Sequence, residues 1–330
     1  CGALPRVYDG VVRSRDYKMF TSGLAERVFL VGSEYGEFSM TGLTKDAQQV
    51  QAVIFLHTPK AAGSTVKWII RRQYELSTIF TVRSSGRGVG ESIHEFKQRP
   101  EVQRESVRVL TGHVSFGLHE FLPQPSIYIT MLRDPVDRVI STYYFIRRRP
   151  LHSHYEAITS QDMSLRDFVC NGVSKVGIDN GQTRMISGDG ATTGCGQCST
   201  EMLERAKKNL REHFALVGLV ERFDESVLLM KRAFGWSTPF YTKQRVSRNR
   251  PLKGDVAEDT LSLIEKCNEL AVELYRYASG MFEEMINQQL PSFAIELRAF
   301  KLLNVFFGLT HKSVSLARRI KRLRRAQDNG

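Results

Sequence analysis

Val53-Ile54-Phe55-Leu56 runs straight into His57-Thr58-Pro59-Lys60-Ala61-Ala62-Gly63-Ser64-Thr65, and this junction decides the fold. Four consecutive apolar residues are what a strand covered on both faces requires. The Pro and Gly of the next nine residues end the strand. Ser64 or Thr65 can cap a helix, whose apolar face continues through Val66, Ile69, Ile70 and Tyr74. The unit is strand, loop, helix. Parallel sheets bind ligands at the carboxyl ends of their strands, where a following helix aims its first amides at an anion. The loop also holds a lysine and two hydroxyls. It is not a Walker A loop, because its lysine precedes the glycine by three and no upstream glycine exists.

Further units of the same kind follow. Val107 to Leu110 reads as a second strand, running into Thr111-Gly112-His113, and Ile127 to Leu132 as a third. After the third, Asp134 is an N-cap and Pro135 suits the first helical position. Val136, Val139, Ile140 and Tyr143 give that helix its apolar face. Leu203, Ala206 and Leu210 lead into a strand at Ala215 to Val220, and a helix from about Asp224 to Phe234 stops at Gly235. Leu261, Ile264, Cys267, Ala271, Leu274 and Ala278 predict one more long amphipathic helix. Strands alternating with helices imply an α/β, three-layer, P-loop-like fold around a central, mainly parallel sheet. No composition break appears inside 51–285, so a single domain is expected there. Residues 1–50 form a loosely patterned lead-in and 286–330 a basic amphipathic helical tail.

The 330 residues, 42% hydrophobic and 25% charged with 10 Pro, exclude a disordered or collagen-like chain. The longest mainly apolar stretch, Leu302 to Leu309, is well short of the roughly 18 to 20 residues that span a bilayer. No signal peptide is visible, so the expected location is cytoplasmic, with the Golgi lumen or a membrane surface as the alternative for a trimmed chain. Five cysteines are too few and too odd in number for a disulfide framework. Cys195 and Cys198 form a C-x-x-C without a second pair to complete a zinc site. Eight of the chain's basic side chains lie in residues 301–330 against one acid, a net +7 of the total +12. The body's small excess does not make a nucleic-acid binder but suits a site for phosphate or sulfate. In the tail, Leu316, Ile320 and Leu323 recur at helical spacing among arginines and lysines. That pattern fits a peripheral contact with an anionic membrane, contact with a partner, or a solvated basic helix end.

A second anion site is legible beside the first. Arg133 closes the third strand, and Ser141 lies two helical turns further on, on the side facing the same crevice. A guanidinium fork with a hydroxyl suits a phosphate. Together the two segments predict a nucleotide with two separated anionic groups.

These residues carry a family resemblance. Phe55 to Thr65 resembles the 5′-phosphosulfate loop of the Golgi-type carbohydrate sulfotransferases. Tyr128-Ile129-Thr130-Met131-Leu132-Arg133-Asp134-Pro135, continuing to Phe145, resembles their 3′-phosphate segment. The pattern is similar to heparan sulfate 2-O- and uronyl 2-O-sulfotransferases, with the 6-O enzymes and bacterial relatives nearby. It continues through Gly112-His113-Val114-Ser115 and from Ala206 to Leu219.

The resemblance implies a sulfotransferase that uses 3′-phosphoadenosine 5′-phosphosulfate (PAPS), leaves 3′-phosphoadenosine 5′-phosphate (PAP) and needs no metal. Lys60, Ala61, Ala62, Gly63, Ser64 and Thr65 would hold the 5′-phosphosulfate, and Arg133 and Ser141 the 3′-phosphate. His113 matches the catalytic histidine, although Thr111 stands where the 2-O enzymes carry a first histidine. Arg147 falls at an acceptor-binding position. Ser247 and Arg250 resemble a later loop that closes over nucleotide and acceptor, and His152 and His154 lie near the implied acceptor cleft. His57 reads as structural.

The chemistry follows from the charges. Lys60 neutralises the bridging oxygen that leaves, loop amides hold the others, and an imidazole draws the proton from an acceptor hydroxyl. The expected acceptor is a carbohydrate, with a small-molecule or lipid alcohol as the alternative. A P-loop-like kinase using ATP and Mg²⁺, and a non-enzymatic polyanion-binding module, are the other classes weighed.

Overall fold

The computed structural model describes residues 28–30, 39–41, 52–83, 91–190, 192–244, 250–289 and 291–327. The first strands, β1 (Val28–Leu30) and β2 (Ser39–Thr41), form a two-stranded antiparallel pair of their own. The apolar run at 53–56 becomes β3 (Ala52–Leu56), in which every residue is buried. Around it lie β4 (Ile79–Arg83), β5 (Glu91–Ser92), β6 (Val109–Gly112), β7 (Ser126–Leu132) and β8 (Phe214–Leu219).

These six form one parallel sheet in the order β5-β4-β6-β3-β7-β8. All residues of β6 and β8 are buried as well. Continuous burial of a parallel strand means that both faces are covered by helices, the three-layer arrangement expected. Central β3 has β6 on one side and β7 on the other, with Leu56 in register with both Gly112 and Thr130. Their carboxyl ends therefore emerge side by side, where the chain reverses its direction of progress across the sheet.

Helix α1 (Gly63–Ile70) follows β3, and α2 (Pro135–Ile146) follows β7. Asp134 caps α2 as its sequence predicts, accepting from the amide of Asp137 at 2.8 Å. Helix α2 is buried almost all round. Its Val136, Val139, Ile140, Tyr143 and Ile146 pack with Ile158, Phe168 and Ile264 in a satellite core. Helix α3 (Gly181–Ser187) is buried at all seven positions. Helix α4 (Thr200–His213) leads into β8, and α5 (Phe223–Phe234) ends at Gly235, whose φ of 61° supplies the left-handed turn.

Three local expectations are corrected. Ser64 and Thr65 do not cap α1: the N-cap is Ala62, and both hydroxyl residues lie in the first turn. The single helix expected through Leu261 and Ala278 is two, α6 (Glu258–Cys267) and α7 (Glu269–Asn287). Asn268 breaks them. Its fully buried amide donates to the carbonyls of Ile178 at 2.6 Å and Ile264 at 3.0 Å, and accepts from the amide of Asn180 at 3.1 Å. Strand β4 was not expected. Ile79 and Phe80 are only partly buried, beside an edge strand of two residues, and give no continuous apolar run.

The tail is helix α8 (Ser292–Gln327). Its Phe293 and Phe300 are buried in the main core.

Candidate active site

The three adjacent strand ends build one cavity of about 1230 Å³. From β3 come His57 and the loop to Thr65, from β6 His113, and from β7 Arg133. The loop is held in an unusual backbone: Lys60 and Ala62 have φ of 66° and 55°. A left-handed conformation costs a residue with a Cβ about 1 kcal/mol or more, and alternating hands turn successive amides toward one point, making an anion nest. The amides of Gly63 and Ser64, in the first turn of α1, have no carbonyl of their own helix to pair with.

Gly63 is fixed by its neighbour. A Cβ there would stand 1.8 Å from the ring of His57, which stacks on Phe55 with centroids 5.5 Å apart. The reading of His57 as structural gains a second part: its carbonyl accepts from Nδ1 of His113 at 2.9 Å, with the two rings 4.0 Å apart. A carbonyl can only accept, so the His113 proton sits on Nδ1 and Nε2 keeps its lone pair. Burial pushes His113 down to about 4, against the raising effect of the His57 carbonyl and with help from Lys67 and Lys60. The imidazole is neutral at physiological pH.

Lys60 lies over the Phe145 ring at 4.0 Å. Burial, and then Arg133, Arg148, Arg149 and Arg250, lower it to about 8. Such a gathering of cations calls for an anion between them. Arg133 donates to the Lys60 carbonyl at 3.1 Å and pairs with Asp137, which Arg250 also grips through two bonds of 2.6 and 3.0 Å. Burial alone would raise Asp137, but Arg250 and Arg133 outweigh it and hold the carboxyl below its usual range. One carboxylate thus ties the end of β7 to the segment carrying Arg250.

Lys60, Ala62, Gly63, Ser64, Thr65, His113, Arg133, Ser141, His152, His154 and Arg250 all line the cavity. Ala61 is fully buried under the loop. Thr65 Oγ1 accepts from the amide of Gln244 at 3.1 Å, which docks the 241–244 segment on α1. Arg147 does not line the cavity. It donates to Tyr143 Oη at 2.9 Å and pairs with Asp162 at 2.8 Å, because one residue past the end of α2 turns it away from Ser141. Ser247 lies outside the described residues.

Sequence reasoning missed Gln182. Its amide holds the Arg133 backbone from both sides, accepting from the Arg133 amide and donating to its carbonyl, each at 2.9 Å. Four of the seven residues of α3 are polar, so the segment carries no apolar period. The stretch Asn180-Gly181-Gln182-Thr183-Arg184 was the available signal, as a dense polar run between better patterned helices.

The site fits a doubly anionic nucleotide on its own terms, with a nest at one strand end, a guanidinium at the next, and a cationic cavity around both.

Comparisons agree. The family model for galactose-3-O-sulfotransferase matches residues 30–289. Human heparan-sulfate 6-O-sulfotransferase 1 is 30% identical over 190 residues, covering 49% of this chain and 44% of that protein. Zebrafish heparan-sulfate 6-O-sulfotransferase 1-B is 30% identical over 185 residues, covering 48% and 44%. Mouse heparan-sulfate 6-O-sulfotransferase 3 is 29% identical over 185 residues, covering 48% and 38%. The chain thus spans less than half the length of these curated relatives. The crystal structure of mouse sulfotransferase SULT7A1 complexed with PAP overlays with a TM-score of 0.30 and 12% identity over 76% of this chain and 82% of that one, too loosely to carry an argument.

The relatives are named for 6-O and 3-O positions, and the narrower 2-O resemblance is not matched among them. The cytoplasmic expectation is overturned. These relatives are heparan-sulfate sulfotransferases, the Golgi-type class that the sequence resembles, and where the given sequence begins says nothing of a leader in a chain that spans under half of them. From the loop geometry, the strand order and a match covering most of its length, the chain belongs to the galactose-3-O-sulfotransferase family, one of the carbohydrate sulfotransferases.

Proposed function

We propose that this chain transfers a sulfuryl group from PAPS to a carbohydrate hydroxyl, with residues 51–285 as the catalytic unit. One observation carries the reading. The ends of β6, β3 and β7 deliver His113, the Lys60 nest and Arg133 to the rim of the same cavity. The 5′-phosphosulfate would rest on the amides of Lys60, Ala62, Gly63 and Ser64, since those of Ala61 and Thr65 already donate to the carbonyls of Thr58 at 3.3 Å and Ala62 at 2.9 Å, and Arg133 with Ser141 would take the 3′-phosphate. PAPS supplies the activated sulfuryl group.

The protein's part is to orient and to move one proton. Nε2 of His113 holds the lone pair that can accept the acceptor's proton, and the His57 carbonyl keeps the other nitrogen protonated. Lys60 supplies positive charge where the leaving oxygen becomes negative. Arg250, tied to Asp137 at the Arg133 end, closes the nucleotide side. His152 and His154 stand on the cavity wall as acceptor contacts.

Heparan sulfate is the first acceptor to test, because the curated relatives are named for it, and a galactose-terminated glycan is the second. The position sulfated, whether 2-O, 6-O or 3-O, is read from the product. Calorimetry with PAP, and separately with ATP plus Mg²⁺, is the first experiment, followed by labelled PAPS with each acceptor. Tight PAP binding with labelled polysaccharide supports the proposal. Preference for ATP points to a kinase, and binding of polysaccharide without PAP or turnover points to a polyanion module; either result ends it.

A further inference from the structure

Helix α8 has two unlike faces. Spaced at three and four residues, Phe293, Leu297, Phe300, Asn304, Phe307 and His311 turn inward. Phe293 and Phe300 are buried, Phe300 and Phe307 flank Phe240 at 5.6 and 5.7 Å, and the Asn304 side chain accepts from the amide of Tyr241 at 2.7 Å. Trp68 of α1 meets Phe307 at 6.2 Å and His311 at 5.8 Å. The helix is thus seated on the body as far as His311.

The opposite face is apolar and open. Ile295, Leu302, Val305 and Phe306 fall within about a third of the helix circumference and are 70, 61, 62 and 57% exposed, with Leu303 beside them at 50%. A row of large apolar side chains that wet is a contact surface. Its charge selects the partner. From Arg298 to Arg325 the helix carries nine basic residues and no acid. Of these, Arg298 and Lys301 are exposed beside the apolar row, and a second copy would have to bring two strongly basic helices together. A polysaccharide would match the charge but leave the apolar row in water. Only an anionic bilayer surface takes both, with the apolar row in the acyl boundary and lysines and arginines at the headgroups. Leu316, Ile320 and Leu323 continue the same spacing in sequence.

We infer that α8 lies on anionic lipid through the face carrying Ile295, Leu302, Val305 and Phe306, and that it fixes the catalytic body to a membrane surface. The helix is not apolar enough to cross one. The inference is independent of the reaction proposed above, and its test does not use transfer.

The test is co-sedimentation of the whole chain with vesicles of phosphatidylcholine alone and with about one third phosphatidylserine. Capture by the charged vesicles only, lost when salt rises from about 0.05 to about 0.5 M, is expected. Leu302→Glu/Phe306→Glu should cut the captured fraction at least about tenfold while PAP affinity and retention on heparin stay unchanged. The milder Leu302→Ser/Phe306→Ser should fall between. No capture by charged vesicles overturns the inference, and so does capture undiminished in both variants. A concentration-dependent dimer that the same substitutions abolish, without capture, assigns the face to a second copy. Loss of heparin retention in step with capture assigns it to polysaccharide.

Discussion

Nδ1 of His113 donates to the main-chain carbonyl of His57 across 2.9 Å, so the last residue before the Lys60 loop sets the tautomer of the imidazole on the neighbouring strand. The bond joins the two halves of the proposed chemistry, donor loop and base, through one peptide group. His113→Ala should keep PAP affinity and lower kcat by about 10² to 10⁴, the usual worth of a positioned base. His113→Gln, which can donate but not take a proton, should be no better. Equal turnover in either variant assigns the proton to another group.

The same histidine sets an acid limit. With the folded value lowered to about 4 from 6.5 by burial, the neutral, proton-accepting form persists as pH falls until that region. The acid limb of kcat/KM for the donor, which reports the free enzyme, should therefore lie near pH 4 and not near 6.5. A limb near 6.5 would mean that His113 is open to water.

Lys60 gives the opposite limit. Its value is lowered to about 8 by burial and the surrounding arginines, so in the free protein the ammonium is lost as pH rises through that region. PAP affinity should fall above about pH 8, since binding an anion there must first restore the proton. Titration calorimetry in buffers of different ionisation enthalpy should show proton uptake at pH 8.5, and Lys60→Met should abolish it. A flat profile to pH 10 refutes the depressed value.

The strand ends and loops that line the cavity were legible because they combine local rules that agree: a continuous apolar run, a small-residue loop and an Asp-Pro helix start each report on their near neighbours. What the sequence did not show depends on partners far along the chain. Gln182 reaches Arg133 across 49 positions, and Asn268 reaches Ile178 across 90. A polar residue bound for a buried carbonyl looks like any other polar residue. The direction of Arg147 was hidden for a related reason. Helical spacing gives direction only within the helix, and Arg147 stands just past the end of α2, where Asp162 claims it. The apolar row of α8 was hidden differently, because the alternation of inward and outward residues across 293–307 merges into one apolar stretch when read in a line.

Arg133 should read the 3′ end. If its guanidinium takes the 3′-phosphate, Arg133→Ala weakens PAP by about ten- to a hundredfold, the range for bonds to a charged group. Adenosine 5′-phosphate, which lacks that phosphate, should bind the variant and the parent almost equally. Asp137→Asn tests the tie between Arg133 and Arg250: it should weaken PAP less than Arg133→Ala does and leave adenosine 5′-phosphate unaffected. A parallel loss for both nucleotides moves Arg133 to another role.

The contact between Gly63 and His57 predicts a rescue. A methyl at position 63 has nowhere to go while the His57 ring stands 1.8 Å from it, so Gly63→Ala must push the ring or the loop aside. Since the ring lies 4.0 Å from that of His113, both PAP affinity and turnover should fall, with a stability loss of about 1 to 3 kcal/mol from overpacking. Removing the ring opens the space. The double variant Gly63→Ala/His57→Ala should regain most of the stability lost in Gly63→Ala, giving a coupling of opposite sign to the single effects. It should also regain PAP affinity, because the amides of the loop do not depend on the ring. Thermal unfolding and calorimetry on the four proteins of the cycle check both, and additive losses would show that the glycine is needed for its own backbone and not for the histidine above it.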